Sequence, residues 1–282
     1  MKRIRSKFLK VIFIIVAVIV LFIIVSFIRH KICSFRERKL LTPLGKIVEV
    51  NGHNMSVYTE GEGDKTLVFL SGGGTCSPIL DFKSLYSLLS NEYKIAVVEK
   101  FGYGFSDVVD EQRDIDTMLS ETRMALEKAG IEGPYVLCPH SMSGLEALYW
   151  AQKYPEEVEA PSLAESDAIK VGTLSEEEKE IYRAVFYQRT ATVTMIDEVK
   201  AVKDNAKTVK ENGVPQVPML LFISNGSGGT GFTEETWRRI PKEYIAGCDN
   251  ASYIELDCPH YVHDYEYEKI SEEIRILLKK MY

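Results

Sequence analysis

The fold of this chain is decided by the stretch YVLCPHSMSGLEA at residues 135–147. Its first four residues are apolar and too few for a helix, which predicts a buried strand, and residues 145–153 have helical spacing that ends before Pro155. Ser141 lies between them. A serine in such a strand–turn–helix occupies a strained turn at the carboxyl end of a sheet, where its Oγ is exposed and the next backbone N–H points at a substrate oxygen. The stretch therefore predicts a nucleophile elbow; a serine that caps a buried helix is the structural alternative.

The elbow departs from the G-x-S-x-G pattern at both ends. Pro139 stands in place of the first glycine and Ser143 in place of the second. Small residues are needed there because the turn packs the strand close to the following helix. Ser143 is small and Gly144 follows it, so we expect the turn to form.

Two further segments carry residues for the same chemistry. Residues 71–75, SGGGT, follow an apolar run, where a glycine-rich loop brings a second N–H to the substrate oxygen and completes an oxyanion hole. Residues 256–263, LDCPHYVH, follow the last apolar run and place His260 where a general base belongs. The order of nucleophile first and histidine last is that of a hydrolase triad. His140 is not the candidate base, because it is next to Ser141 and the side chains of adjacent residues diverge.

The pattern of the remaining chain predicts an α/β fold. Asn51-Gly52 is a strong hairpin signal within residues 47–58. Short apolar runs then alternate with amphipathic, helix-length segments, which implies a mostly parallel sheet covered on both faces. The runs are residues 66–70, 95–98, 135–138, 219–223 and 253–256, and the clearest helices are residues 115–129, 145–153 and 268–280.

Helices interrupt this alternation before residue 219. Ser175 and Glu178 form a capping box, and two helical stretches follow without a clear strand. We expect a helical lid at about residues 168–215; an ordinary crossover helix with a long loop is the alternative.

Taken together, residues 45–282 resemble the α/β-hydrolase superfamily, in its lid-bearing esterase, peptidase and haloperoxidase branch. Residues 99–107, EKFGYGFSD, resemble the D-x-R-G-x-G-x-S segment of that superfamily, and residues 260–263 resemble its G-H-x-x-H segment. The resemblance implies an eight-stranded, mostly parallel sheet. It also implies that Ser141 is the nucleophile and His260 the base, with Met142 and Gly73 as the N–H donors.

The resemblance leaves the acid of the triad open. The superfamily most often supplies it after the seventh strand, and in this chain no acid follows residues 219–223 before Glu234. Some relatives supply it from the end of the sixth strand, which corresponds here to residues 158–167. We rank Glu165 first by its spacing from the preceding helix, Asp167 second and Glu234 third.

Other enzyme classes fit the sequence less well. Epoxide hydrolases and haloalkane dehalogenases attack with an aspartate at the elbow, against which Ser141 argues. The proline in the glycine loop of prolyl iminopeptidase-like enzymes is absent from residues 72–74, which disfavours that activity. Residues 226–231, GSGGTG, satisfy the dinucleotide-binding fingerprint, but too few strands follow for that fold, and a surface loop is the better interpretation.

The N-terminal part of the chain has the composition of a membrane anchor. Residues 11–28 contain one polar residue, Ser26, and are long enough to cross a bilayer once. A cleaved signal peptide and a buried core helix are the alternatives, but the run is longer than a signal sequence and leads into charged residues. We therefore expect a basic segment at residues 1–10, an anchor at residues 11–28 and a linker at residues 29–44. Five basic residues flank each side, so charge does not set the orientation; we place the catalytic domain outside the cytoplasm.

Charge excludes one class of partner. The net charge is −7, and from residue 40 onward the chain holds 24 Lys or Arg against 40 Asp or Glu, so phosphate backbones would repel it. The five cysteines have no C-x-x-C spacing, which indicates neither a zinc site nor a disulfide framework.

The sequence thus predicts a membrane-anchored serine hydrolase that uses no cofactor or metal. Its partners would be a small ester or amide substrate and the lipid bilayer, with no nucleic acid. A non-catalytic receptor or scaffold on the same fold is the competing hypothesis, since a fold does not by itself specify function.

Overall fold

A computed structural model describes residues 2–163, 168, 170–228 and 230–281 of the 282-residue chain. The chain divides into two compact units. Residues up to Thr42 form the first unit, and residues from Pro43 onward form the second.

Helix α1 (Lys2–Glu37) forms most of the first unit. Its segment Ile12–Glu37 is long and apolar enough to cross a membrane, judged by length and composition. The large apolar side chains from Ile12 to Ile28 are between 41% and 74% exposed. The helix continues beyond the predicted anchor at residues 11–28 and includes the first part of the predicted linker at residues 29–44, as far as Glu37. Arg and Lys are good helix formers, and no proline or glycine interrupts the segment.

The second unit is built around one sheet. Its described residues contribute eight strands: β1 (Lys46–Val50), β2 (His53–Glu60), β3 (Thr66–Leu70), β4 (Lys94–Glu99), β5 (Tyr135–Pro139), β6 (Val158–Leu163), β7 (Met219–Ile223) and β8 (Ala251–Glu255). The strand order is β1-β2-β4-β3-β5-β6-β7-β8. The pairs β1–β2 and β2–β4 are antiparallel, and all other neighbours are parallel. The predicted α/β fold with a mostly parallel sheet is confirmed.

Helices cover both faces of the sheet. They are α2 (Pro78–Asp81), α3 (Lys83–Leu89), α4 (Ile115–Ala129), α5 (Ser143–Lys153), α6 (Glu176–Arg189), α7 (Val193–Glu211), α8 (Glu234–Ile245), α9 (Val262–Tyr265) and α10 (Tyr267–Lys280). One large apolar core lies between the sheet and helices α4 and α5, and a second lies between the sheet and helices α3 and α10. The parallel strands β3, β5 and β7 are mostly apolar because both of their faces are buried.

The local sequence signals lead to the structures that they predict. The β1–β2 hairpin turns at Asn51 and Gly52, which have φ angles of 51° and 81°, as the two central residues of a type I′ turn require. Ser175 and Glu178 form both hydrogen bonds of the capping box at the start of α6. Strand β8 begins two residues before its predicted start, a difference typical of boundaries read from hydrophobicity alone.

The segment predicted as a lid contains helices α6 and α7. The second half of α7 lies against α5, where Val209 is buried in the core and its carbonyl accepts a hydrogen bond from Gln152 Nε2 at 3.0 Å. This half of α7 therefore serves as the crossover helix between β6 and β7. Strand β6 covers residues 158–163 of the predicted sixth-strand segment, and residues 164–167 of that segment lie outside the described residues.

Candidate active site

The turn between β5 and α5 holds Ser141 in a strained backbone conformation. Its φ angle is 50°, in the left-handed region that residues other than glycine seldom adopt. The turn is held by backbone hydrogen bonds from Ser143 N to His140 O and from Gly144 N to Ser141 O, both 2.9 Å long. Ser141 is exposed while its neighbours His140 and Ser143 are buried. The backbone thus presents the hydroxyl of Ser141 outward, as the sequence predicts.

The general base candidate lies opposite Ser141. His260 follows β8, and its Nε2 is 3.4 Å from Ser141 Oγ, although 119 residues separate the two in the chain. This distance is slightly longer than an optimal hydrogen bond, and catalytic contacts are often looser without substrate. The structure therefore brings together the two side chains that the sequence singles out for proton transfer.

The loop after β7 positions His260. The backbone N–H of His260 donates to Ser227 O at 2.8 Å, and Asn225 N–H donates to Cys258 O at 3.0 Å. Trp237 packs its ring edge-to-face against His260, with ring centroids 5.0 Å apart. Residues 226–228 of the glycine-rich segment thus belong to a loop that supports the histidine, and a single strand, β8, follows them in the described part of the chain. Sequence reasoning assigned neither Ser227 nor Trp237 to the site, because Ser227 lay in the segment interpreted as a surface loop and no motif marks Trp237.

Burial changes the protonation of His260. Desolvation in this half-buried position, followed by the nearby His263, lowers the pKa of His260 from 6.5 to about 4. A histidine with a lowered pKa is neutral at pH 7, which is the form that accepts a proton.

The glycine-rich loop after β3 lies directly against the elbow. A Cβ atom on Gly72 would lie 2.5 Å from His140 Nδ1 and 2.8 Å from Ser141 Cβ, so this position requires glycine. A Cβ atom on Gly73 would lie 2.7 Å from the Met142 side chain. The two predicted N–H donors, Gly73 and Met142, are therefore neighbours across this contact.

The two residues that depart from the elbow pattern also have structural roles. Ser143 Oγ donates a hydrogen bond to the carbonyl of Ser71, at the start of the glycine-rich loop. Pro139 pairs with Leu70 at the end of the sheet, and the following residue, His140, donates its N–H to Leu70 O at 2.8 Å. Ser143, in place of the second glycine of the pattern, thus connects the elbow to the glycine-rich loop through a side-chain hydrogen bond.

The acid of the triad remains a prediction. Glu165 and Asp167 lie outside the described residues. Glu234 begins α8, is 59% exposed in its side chain, and accepts a hydrogen bond from Arg238 Nε at 2.9 Å. Its described contact is thus an exposed ion pair within one helix.

The residues that the structure describes contain no candidate metal site. No group of three or more His, Cys, Asp or Glu side chains is close enough together there to hold an ion.

Comparison with known proteins places the chain in a family. No protein-family model matches it. It is 34% identical to the uncharacterized protein YbdG of Bacillus subtilis, over 94% of this chain and 95% of that protein.

Solved structures share the fold at low sequence identity. A haloalkane dehalogenase variant, DbeA-M1 of Bradyrhizobium elkanii, is 16% identical with a TM-score of 0.66, over 84% of this chain and 96% of its own. The serine hydrolase CarC, involved in carbazole degradation, is 13% identical with a TM-score of 0.65, over 83% of this chain and 98% of its own. Together with the strand order, these matches show that the chain has the α/β-hydrolase fold, and its identity to YbdG shows that it belongs to the family of that Bacillus subtilis protein.

Proposed function

We propose that this protein is a membrane-anchored serine hydrolase that cleaves an ester or amide through an acyl-enzyme on Ser141. The observation that carries the proposal is the 3.4 Å separation of Ser141 Oγ and His260 Nε2, with Ser141 at a positive φ. A strained serine facing a neutral histidine is the arrangement that activates a hydroxyl nucleophile.

The first half of the reaction forms the acyl-enzyme. Ser141 Oγ attacks the carbonyl carbon while His260 Nε2 takes the hydroxyl proton, and the carbonyl oxygen becomes an oxyanion. When the oxyanion collapses, the bond to the leaving group breaks and His260 returns the proton to that group. The second half repeats these steps with water as the nucleophile, which releases the acid and restores the hydroxyl of Ser141.

The oxyanion would be stabilised by the backbone N–H groups of Met142 and Gly73. The contact between these two residues across the elbow supports this assignment. Donors that are already in place stabilise the developing charge without reorganisation, and each contributes about 10²–10³ in rate.

The triad acid would hold His260 in the tautomer that carries its proton on Nδ1. We propose Glu165 for this role, with Asp167 as the next candidate, because both follow the end of β6. The ion pair of Glu234 with Arg238 makes Glu234 the weakest candidate.

The anchor proposal rests on helix α1. Its exposed apolar segment has the length of a membrane span, and we propose that it holds the hydrolase domain at the bilayer surface, outside the cytoplasm. Protease treatment of intact cells tests the orientation: an external domain is digested, whereas a cytoplasmic domain is protected until the cells are lysed.

Labelling with a fluorophosphonate probe tests the catalytic proposal. The wild-type protein should be labelled, Ser141→Ala should not, and His260→Ala should be labelled far more slowly. Loss of Ser141 or His260 should lower kcat by about 10⁴–10⁶ while leaving the fold intact. A folded wild-type protein that resists the probe would instead support the receptor hypothesis.

A further inference from the structure

An apolar cavity of about 560 Å³ opens at Ser141. This volume is within the range of about 300–1,000 Å³ typical of small-molecule sites. Its walls come from three helices, α5, α7 and α8, together with β7. The cavity therefore extends from the nucleophile along one face of the sheet.

The cavity is elongated along α8. Trp237, which contacts His260, lines it near the catalytic pair, and Ile245 lines it at the end of the same helix. Eight residues of helix separate the two, which corresponds to roughly 12 Å at 1.5 Å per residue. Met219, the first residue of β7, also lines the cavity, so it reaches the opposite end of that strand from the catalytic edge.

The chemistry of the walls is almost wholly apolar. Leu145 and Leu148 contribute side chains from α5, Leu221 from β7 and Ile240 from α8. Lys210 is the one charged residue among the described residues that line the cavity, and it is exposed. A cavity of this kind favours a chain of methylene groups and disfavours a charged or strongly hydrated group.

We propose that this cavity, called the slot below, binds an unbranched alkyl chain. The substrate is then an ester or amide with such a chain next to the scissile bond. The inference rests on the proposed function, because the proposed function places the scissile bond at Ser141. The chain belongs either to the acyl part or to the alcohol part of the substrate, since the slot begins beside both Ser141 and His260. Each buried methylene contributes about 0.8 kcal/mol, which corresponds to an increase in kcat/KM of about fourfold per added methylene until the slot is full.

Kinetics of the full chain in lipid nanodiscs test this. One series varies the acyl part, from p-nitrophenyl acetate through butyrate and hexanoate to octanoate. The second series varies the alcohol part, from ethyl to octyl acetate. We expect one series to show the rise in kcat/KM, and this identifies the part of the substrate that occupies the slot.

Substitutions in the slot separate its effect from general hydrophobicity. Ala206→Phe narrows it from α7, and Ile240→Trp narrows it from α8, where Ile240 is 45% exposed and a larger side chain is tolerated. Lys207→Phe is the matched control, because Lys207 lies on the same helix with a 72% exposed side chain and does not line the slot. The ratio of long-chain to short-chain kcat/KM should fall about tenfold or more in the two slot variants and stay at the wild-type value in the control.

The outcomes distinguish the two proposals. If Ser141 is labelled and short esters are cleaved, but neither series depends on chain length, the slot proposal is wrong and the hydrolase proposal stands. The slot proposal is also wrong if the dependence on chain length is the same in both slot variants as in the wild type, with folding verified by circular dichroism. If no ester is cleaved and Ser141 is not labelled, the proposed function itself fails.

Discussion

The Nδ1 atom of His140 accepts a hydrogen bond from the backbone N–H of Gly72 at 3.0 Å. His140 immediately precedes the nucleophile, and Gly72 immediately precedes the proposed oxyanion donor Gly73. Burial lowers the pKa of His140 well below 6.5, so the ring is neutral, and the N–H donated by Gly72 requires the tautomer that leaves Nδ1 free of a proton. This neutral histidine therefore fixes the glycine-rich loop against the elbow.

Replacing His140 tests this positioning role. His140→Phe leaves a buried N–H on Gly72 without its acceptor, which we expect to destabilise the fold by about 1–3 kcal/mol. We also expect kcat for short esters to fall with little change in KM, because the loop acts on the oxyanion and not on substrate binding. His140→Asn offers an oxygen near the position of Nδ1 and should recover part of kcat. Equal losses in both variants would show that the hydrogen bond does not position the loop.

The close approach of Gly72 predicts a strong effect from a single methyl group. Gly72→Ala places Cβ within van der Waals overlap of His140 and Ser141, at 2.5 Å and 2.8 Å. We expect a loss of about 1–3 kcal/mol in stability and much slower labelling of Ser141. Gly247→Ala is the matched control, because nothing lies within 4 Å of its Cβ position. Labelling of Gly72→Ala at the wild-type rate would contradict the geometry of the loop.

A buried ion pair links the loop after β4 to helix α7. Lys100 Nζ binds the carboxylate of Glu198, and the two side chains are only 2% and 4% exposed. Lys100→Met leaves a buried carboxylate without its cation, which should lower the free energy of unfolding by about 3–5 kcal/mol. Urea unfolding monitored by tryptophan fluorescence measures this change. The double variant Lys100→Met with Glu198→Gln should be less destabilised than Lys100→Met alone.

An exposed pair provides the comparison for this prediction. Lys207 and Glu211 are 3.8 Å apart on α7, with side chains 72% and 66% exposed. Lys207→Ala should therefore change stability by less than about 1 kcal/mol. If Lys100→Met lowers the free energy of unfolding no more than Lys207→Ala does, the buried ion pair does not stabilise the contact between α7 and the loop after β4.

The lowered pKa of His260 predicts how reactivity changes with pH. His260 must be neutral to accept the proton of Ser141, and its pKa of about 4 keeps it neutral well below pH 6.5. The rate of fluorophosphonate labelling should therefore remain high from pH 7 to about pH 5 and fall by half near pH 4. A midpoint at or above 6.5 would contradict this expectation and would indicate that the proposed triad acid raises the pKa of His260 by more than burial lowers it.

The same shift affects stability. Between about pH 4 and pH 6.5 the unfolded chain binds a proton on His260 that the folded chain does not bind. The contribution of His260 to the free energy of unfolding is thus complete above pH 6.5 and decreases as the pH falls through this range. His260→Ala should show a shallower loss of stability over the same range.

Three conservative substitutions identify the triad acid. We expect Glu165→Gln to lower kcat by about 10⁴-fold, as does loss of the acid that holds the histidine tautomer in other triads. Asp167→Asn should have a smaller effect, and Glu234→Gln should remain near wild type because Glu234 already pairs with Arg238. A large loss in Glu234→Gln, or in none of the three, would overturn this ranking.

The sequence by itself determined the features that depend on local backbone preference and hydrophobic pattern. Asn51-Gly52 specified the hairpin because both residues tolerate positive φ. Alternating apolar runs and amphipathic stretches specified a parallel sheet between helices, and the elbow and the last loop identified Ser141 and His260. The apolar run of α1 required no tertiary information either, because its length alone matches a bilayer.

Tertiary structure alone decided which distant residues meet. The bond between His140 and Gly72 exists because β3 and β5 are neighbours in the sheet, and 68 residues of chain separate its partners. Lys100 and Glu198 are 98 residues apart, and the slot at Ser141 is bounded by helices from separate parts of the chain. Residue type and spacing indicate burial and local conformation. These contacts depend instead on the order of the strands and on how the helices pack against the sheet.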